Sequence, residues 1–245
     1  MGEPMAPEKG AVEAFKAWAV TYDKTVSKEL ERYAGITHQG VLDRLLQLAQ
    51  LQNGDSVLDV GTGTGWLAIR YASQMGEGQI IGVDVTPDML ARAVLNAEKV
   101  GLEGRLQFAL ASAMSLPYPD NQFDVVLSSL ALHHTTVSHS LDEMVRVLKP
   151  GGCIAIADMG APPAWRCAPI SWLMLLLTRA YKLTGNPTAK ADAEAFQQTY
   201  TAEEWTSLLA AKGLKRAQVT AVLRPGQRIY PCVILASGEK GDTIG

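Results

Sequence analysis

The sequence predicts an α/β fold built on a mainly parallel sheet. From Val57 onward, short apolar strand candidates alternate with amphipathic helix candidates, which is the pattern expected when helices connect successive parallel strands. The strand candidates, in chain order, are SVLDV, QIIGVDV, LQFAL, FDVVLSSL, CIAIAD, AQVTAV and RIYPCVILAS. The first five are largely apolar, which is typical of strands that are buried on both faces.

Helix candidates fill the intervals between these strands. In TPDMLARAVLNAEKVG, Thr86 can cap the helix and Pro87 suits its first turn. In SLDEMVRVLKPGG, an apolar stripe at Leu141, Met144 and Leu148 has helical spacing. Before the first strand, VEAFKAWAVTYDKTVSKELERYAG and HQGVLDRLLQLAQ predict two further helices.

The alternation breaks after the fifth strand, in a segment rich in Pro and Trp. A helix that opens with a Thr201 to Glu204 capping box follows, and the last two strands, separated by LRPGQ, predict a hairpin. We therefore predict a single domain over 1–245. Its parts are an amino-terminal helical cap (1–52), a core (53–158), a helical insertion (161–200) and a final helix with the hairpin (201–238).

The composition of the chain limits the binding partners and the location that we expect for it. The chain is 47% hydrophobic and carries a formal net charge of −3, so it offers no basic field for nucleic acid. Cys153, Cys167 and Cys232 lie too far apart for a zinc motif, and the first residues show no secretory leader, so we expect a cytoplasmic protein. The apolar run ISWLMLLL is far shorter than a membrane-spanning helix, which needs about 20 residues. Contact with a membrane surface stays open.

The stretch VLDVGTGTG is the strongest local signal for a ligand. Glycines at alternate positions after a strand permit positive φ angles and let a ligand approach the backbone, beside the free N–H groups of the next helix. Nicotinamide and flavin proteins also carry glycine-rich turns at this place. Two carboxylates sharpen the signal: Asp59 precedes the turn, and Asp84 ends the next strand, where it can accept hydrogen bonds from both hydroxyls of a ribose.

The G-x-G-x-G spacing, together with Asp59 and Asp84, resembles the class I S-adenosylmethionine-dependent methyltransferases. The stretches LPYPDNQFDVVLSSLALHH and MVRVLKPGG are similar to the same superfamily, and the resemblance covers about 57–158. It is strongest to the small-molecule branch, which includes the type 11 methyltransferases, ubiquinone and menaquinone C-methyltransferases and many natural-product O-methyltransferases. The resemblance implies a Rossmann-like sheet of seven strands with the last strand antiparallel.

The resemblance also implies S-adenosyl-L-methionine as cofactor, S-adenosyl-L-homocysteine as product, and core residues that bind them. Asp84 would hold the ribose, Val85 would pack on the adenine, and Asp59 would support the turn and the amino group. Ser112 stands where many relatives have an acid, and Tyr22 resembles an aromatic residue that closes over the cofactor. The full set of predicted cofactor-binding residues is Tyr22, Asp59, Gly61, Thr62, Gly63, Gly65, Asp84, Val85, Ser112, Ala113 and Ser129.

Methyl transfer from a sulfonium depends mainly on placing the acceptor in line with the methyl group. A base helps when the acceptor is a hydroxyl or a carbon acid, and histidine is the obvious type. His133 and His134 follow the fourth strand, and His38 on an amino-terminal helix is a third candidate. The alternative that the paired histidines only close a turn stays open.

Two further features bear on the acceptor. Asp158 ends the fifth strand without the cluster of carboxylates that a magnesium site needs, so we predict no metal. The insertion carries large apolar residues, which predict a lid over a hydrophobic or aromatic acceptor: Trp165, Trp172, Leu173, Met174 and Tyr181. A core helix or a dimer contact would also bury them, and both a monomer and a homodimer remain open.

The leading hypothesis is therefore methylation, on oxygen or carbon, of a lipophilic or aromatic small molecule. A protein or RNA methyltransferase is one alternative. Another is a protein that shares the fold and uses S-adenosylmethionine as a scaffold for a non-methylating reaction or for binding. A nicotinamide oxidoreductase is disfavoured, because Trp66 stands where its G-x-G-x-x-G motif needs glycine.

Overall fold

A seven-stranded sheet forms the centre of the molecule. The computed structural model describes residues 22–75, 78–102, 104–172 and 198–241, with the single positions Val12, Lys16, Leu176 and Arg179. The strands are β1 (Ser56–Val60), β2 (Gln79–Asp84), β3 (Leu106–Leu110), β4 (Phe123–Ser129), β5 (Leu148–Gly160), β6 (Leu214–Val222) and β7 (Cys232–Lys240). Their order across the sheet is β3-β2-β1-β4-β5-β7-β6.

The sheet topology creates a crevice at its centre. Strands β1 to β5 pair in parallel, whereas β7 runs antiparallel to both β5 and β6. This confirms the prediction of six strands in one direction and a reversed last strand. The chain moves outward from β1 through β2 to β3 and then returns to the other side of β1 as β4. In such sheets, ligands bind at this switch point, outside the carboxyl ends of the strands.

Helices cover both faces of the sheet. They are α1 (Tyr22–Tyr33), α2 (His38–Leu48), α3 (Trp66–Gln74), α4 (Pro87–Lys99), α5 (Val137–Val147) and α6 (Ala202–Ala211). Successive strand residues point to opposite faces, so Val57 packs with the core beneath α1 to α4 while Leu58 packs with the core beneath α5 and α6. Short 3₁₀ turns span Leu132–His134 and Pro163–Arg166.

Most predicted helix ends agree with the structure, with two corrections. Pro87 begins α4 after Thr86, but the Thr86 side chain makes no capping hydrogen bond. Helix α5 ends at Val147, and Leu148 begins β5 instead of continuing the helical stripe. The capping box of α6 is confirmed, since Thr201 N–H donates to Glu204 Oε2 (2.8 Å) and Glu204 N–H donates to Thr201 Oγ1 (3.2 Å).

The segments on either side of the core are described only in part. Leu173, Met174 and Tyr181 of the predicted lid lie outside the described residues, as does most of the predicted first helix before Tyr22. Trp165 is buried and its Nε1 donates to the Ile229 carbonyl at 2.8 Å. The β6–β7 connection runs over 223–231 and is longer than the LRPGQ loop predicted for the hairpin. Within the described ranges, no helix combines the length and apolar character that crossing a bilayer requires.

Thr201→Ala should lower the free energy of unfolding by about 1 kcal/mol, because it leaves an amide at the start of α6 without its partner. Thr206→Ala, on the exposed face of the same helix, is the matched control and should change stability by less than about 0.5 kcal/mol. Urea denaturation of both variants measures the difference. Equal losses in the two variants would contradict the capping role.

Candidate active site

The loop between β1 and α3 lies against the end of β2. The Gly61 and Thr62 N–H groups both donate to the Val83 carbonyl, at 2.8 and 2.9 Å. Gly65 N–H donates back to the Thr62 carbonyl at 2.9 Å, which closes the turn. Backbone bonds therefore fix the loop at the carboxyl edge of the sheet.

The three glycines of the loop meet different requirements. All have positive φ, +71° at Gly61, +54° at Gly63 and +82° at Gly65. A Cβ added at Gly61 would overlap the Ala131 side chain, and one at Gly65 would come within 2.9 Å of Ala93 Cβ. A Cβ at Gly63 would meet nothing within 4 Å, because that position faces open space. Gly61 and Gly65 thus permit close packing, and Gly63 keeps a cavity wall free of a side chain.

Asp84 connects the end of β2 to this loop. Its Oδ2 accepts from the Gly63 N–H at 2.9 Å and its Oδ1 accepts from the Thr86 N–H at 2.8 Å. A carboxylate offers about four acceptor positions, so one that is oriented by backbone amides can also accept from a ligand. Asp84 can therefore accept hydrogen bonds from a diol at the cavity wall.

Asp59 lies beneath the loop and is fully buried. Its Oδ2 accepts from the Thr62 hydroxyl at 2.6 Å, and its Oδ1 has no hydrogen-bond partner among the described residues. Burial raises the pKa of Asp59 to about 7, and the charge of Asp84 adds to the rise while the Thr62 bond opposes it. Asp59 therefore changes its charge near neutral pH.

A cavity opens at the carboxyl ends of β1, β2 and β4. Seven of the predicted site residues line it: Tyr22, Gly61, Gly63, Asp84, Val85, Ala113 and His134. The remaining lining residues are Thr86, Met89, Ala111, Leu130, Ala131 and Thr135. The cavity thus runs from the glycine loop to the turn after β4.

Other predicted cofactor-binding residues lie behind this wall. Thr62 and Gly65 support the loop from within, and the Ser112 hydroxyl accepts from the Met114 N–H at 3.1 Å. Ser129 does not line the cavity, whereas Leu130, which has a positive φ of 55°, does. Direct cofactor contact by these residues stays a prediction.

Sequence reasoning missed several residues of the site. Met89 follows Asp84 by five residues in the first turn of α4, so its position near the cavity could have been inferred from the motif. Gly82 had no sequence signal. A Cβ there would lie 2.7 Å from Thr62 Oγ1, so this glycine makes room for the side chain that binds Asp59.

Tyr22 begins α1 and contributes one wall of the cavity. Burial raises the pKa of its phenol, and the charges of Asp84, Asp23 and Asp158 raise it further. The hydroxyl therefore keeps its proton over the physiological pH range. Tyr22 can serve as a hydrogen-bond donor and an aromatic surface, but not as a base.

The two adjacent histidines have different environments. His134 lines the cavity, and its pKa is well below the usual value because of burial and the neighbouring His133. His134 is therefore neutral at pH 7, and it is a weaker base than an ordinary imidazole.

His133 is buried behind His134, with the two ring centroids 4.0 Å apart. Its Nδ1 lies 2.5 Å from Asp158 Oδ1, which also accepts from the Met159 N–H at 2.9 Å. Asp158, near the end of β5, orients His133 in this way.

His38 does not join this group. It begins α2, and its pKa is lowered by burial, against the opposing effect of Asp23. It is absent from the cavity lining. The role of His38 as a third candidate base therefore stays a prediction. In the described ranges, no three His, Cys, Asp or Glu side chains form a group that could hold a metal ion.

The segment that forms most of the cavity is similar to a known protein family. Positions 57–152, from β1 into β5, match the family model described as Methyltransferase domain. Within these positions the chain carries a methyltransferase domain. S-adenosylmethionine is the cofactor of class I methyltransferases, as the resemblance in the sequence implied.

Curated relatives share the methyltransferase domain. The 27-O-demethylrifamycin SV methyltransferase of Amycolatopsis mediterranei is 38% identical over 123 residues, covering 50% of this chain and 45% of the relative. A ubiquinone/menaquinone biosynthesis C-methyltransferase of Ectopseudomonas mendocina is 36% identical over 119 residues, covering 48% and 46%. The chain matches about half the length of these relatives.

Solved structures share the fold. The [4+2]-cyclase SpnF aligns with a TM-score of 0.72 at 21% identity, over 99% of this chain and 100% of that one. The geranyl diphosphate C-methyltransferase of Streptomyces coelicolor aligns with a TM-score of 0.66 at 14% identity, over 89% and 84%. At these identities the likeness establishes the fold of the methyltransferase domain.

The residues of the site fit S-adenosylmethionine. Gly63 leaves room for a ligand against the backbone, and Asp84 presents its carboxylate where a ribose diol would bind. Asp59 is buried beneath the loop, and a cationic group of the cofactor near it would favour its ionised form.

We expect Gly63→Ala to weaken S-adenosylmethionine binding at least about tenfold, because the new methyl group would occupy the open space facing the loop. Its stability cost should be roughly 1–2 kcal/mol, from the positive φ. Gly61→Ala is the matched comparison and should cost more stability, because it adds an overlap with Ala131. Calorimetric titration and thermal unfolding of both variants separate the effects. A Gly63→Ala protein with unchanged affinity would show that the cofactor does not pass this position.

Asp59 should make stability depend on pH. Its folded pKa, about 7, exceeds the unfolded value near 4, so between these values the folded state binds a proton that the unfolded state has lost. Raising the pH from 5 to 7 should therefore lower the stability of the wild type relative to Asp59→Asn, by up to about 1.4 kcal/mol per pH unit. Above pH 8 the difference should be constant. Parallel stability curves from pH 5 to 8 would rule out a raised Asp59 pKa.

Proposed function

We propose that the protein transfers the methyl group of S-adenosylmethionine to an oxygen or an activated carbon of a lipophilic or aromatic small molecule. The observation that carries this proposal is the composition of the cavity. One end has Gly63, Asp84 and Val85, which suit a nucleoside, and the other has the neutral His134. Apolar side chains, including Met89 and Leu130, lie among these residues.

The cofactor, when bound, supplies an electrophilic methyl group, so the protein has to position the acceptor and exclude water. Asp84 and the Gly63 backbone would hold the nucleoside side. Tyr22 would close over the cofactor, and Leu130 would give the acceptor side an apolar surface. Positioning of this kind lowers the barrier by restricting the acceptor to the in-line approach.

His134 would accept the proton that the acceptor loses. The low pKa of its imidazole keeps it unprotonated at neutral pH, and it lies on the cavity wall. His133, held at Nδ1 by Asp158, packs against it and restrains the turn that presents it. This arrangement suits a hydroxyl acceptor and equally a carbon acid, because both lose a proton to complete the reaction.

The relatives support both kinds of acceptor atom. One is named as a 27-O-demethylrifamycin SV methyltransferase and the other as a C-methyltransferase of ubiquinone/menaquinone biosynthesis. The net charge of −3 gives no support to RNA as acceptor. The SpnF fold match keeps a non-methylating reaction as the second hypothesis, since that protein is named as a [4+2]-cyclase.

The test is acceptor-dependent formation of S-adenosylhomocysteine by the full chain. The acceptors are a panel of lipophilic phenols, hydroquinones and isoprenoid-like alcohols, compared with RNA and with denatured protein. Mass spectrometry of the product identifies the methylated atom, and Asp84→Ala serves as the cofactor-binding control. Methyl transfer only to RNA or protein would contradict the proposal. Conversion of a small molecule without S-adenosylhomocysteine would favour the scaffold hypothesis.

His134→Gln should lower kcat by about 10²- to 10⁴-fold with little change in the KM for S-adenosylmethionine, because it removes the base and leaves the nucleoside side intact. Since the His134 pKa is low, the wild-type rate should not rise further above pH 7 through this group. His139→Gln, at an exposed position in α5, is the control and should leave kcat unchanged. An unchanged kcat in His134→Gln would assign this histidine a packing role only.

A further inference from the structure

Asp23 joins the first turn of α1 to the glycine loop. Its Oδ1 accepts from the Thr64 hydroxyl at 2.6 Å, and its Oδ2 accepts from the Trp66 indole Nε1–H at 2.9 Å. Asp23 is half-buried and comes directly after Tyr22, the residue that lines the cavity. One carboxylate on α1 thus binds both residues that flank Gly65.

The amino terminus of α3 explains why a carboxylate is suitable here. Gly65 occupies the capping position and has no side chain, so this helix lacks a cap of its own. A negative charge close to the first turn of a helix is favourable, and Asp23 is also in the first turn of α1. Asp23 therefore lies near the positive ends of two helices, with one donor bound to each of its oxygens.

The loop is anchored independently of α1. Asn96 on α4 donates from Nδ2 to the Thr64 carbonyl at 3.0 Å, and backbone bonds tie Gly61 to β2. The far end of α1 is held elsewhere, since Tyr33 stacks on Tyr230 with ring centroids 6.0 Å apart. The Asp23 bonds thus join the turn of α1 that carries Tyr22 to a part of the site that is already fixed.

We propose that Asp23 is a positioning residue for cofactor capture, which holds Tyr22 over the cavity by clamping α1 to Thr64 and Trp66. This inference rests on the proposed function in taking the captured ligand to be S-adenosylmethionine. Release of the two bonds frees the Tyr22 wall and lets the ligand leave. Asp23 does not touch the reacting groups, so it governs affinity and residence time and leaves the chemical step unchanged.

The test compares Asp23→Asn with Asp43→Asn. The control acid is also half-buried and helical, and it binds α3 through Arg70, whose Nε donates to Asp43 Oδ1 at 2.7 Å. Asp23→Asn should raise the Kd for S-adenosylmethionine about tenfold and speed amide exchange in residues 22–27 of the ligand-free protein. Its kcat at saturating cofactor should change by less than about twofold. Asp43→Asn should change neither affinity nor exchange in that turn.

Trp66→Phe keeps an aromatic ring, removes one donor, and covers the case in which Asp23→Asn does not fold. Trp66→Phe should raise the Kd and the exchange rate by a smaller factor than Asp23→Asn does. In the Asp23→Asn background, the Trp66 change should have a smaller effect on both than it has in the wild type. Equal effects of Asp23→Asn and Asp43→Asn on affinity and exchange would overturn the clamp. A wild type that binds no S-adenosylmethionine would contradict the proposed function, while the exchange measurement would still decide whether Asp23 holds α1.

Discussion

The close packing of the β1–α3 loop is the constraint on which the rest of the site depends. Gly61 brings the loop against Ala131 in the turn after β4, and Gly65 brings α3 against Ala93 of α4. Because a single Cβ at either glycine would separate these elements, their spacing is set by the absence of side chains. The cavity lies beside these contacts. Gly63, where an added Cβ would meet no atom within 4 Å, lines it.

Three carboxylates surround this loop in different environments. Asp23 is half-buried and bound by two side-chain donors, Asp84 reaches the cavity and binds two backbone amides, and Asp59 is fully buried with one oxygen unpartnered. Burial raises the pKa of Asp59, and the negative charge of Asp84 raises it further. A cationic ligand would relieve this repulsion, so the electrostatics of the loop match a sulfonium cofactor.

The opposite side of the cavity, where the acceptor would bind, has a different composition. There the chain places a neutral, partly buried imidazole among apolar side chains, where water would compete poorly for an acceptor. His133 and Asp158 lie behind it and have no place in the cavity lining. The nucleoside side of the cavity thus consists of the Gly63 backbone and the Asp84 carboxylate. The acceptor side consists of apolar side chains with one titratable group, the imidazole of His134.

The sequence by itself determined the features that local chemistry encodes: the strand and helix periodicity, the glycine turn, Asp84 at a strand end and the capping box of α6. Each depends on residues a few positions apart, so their spacing carries the information. Only the tertiary structure decided that Asp23 reaches Thr64 across 41 positions, that Asp158 binds His133 across 25, and that Gly82 makes room for Thr62. It also left His38 and Ser129 out of the cavity lining. Such contacts arise where the sheet brings distant segments to one edge, and no local pattern specifies which side chains meet there.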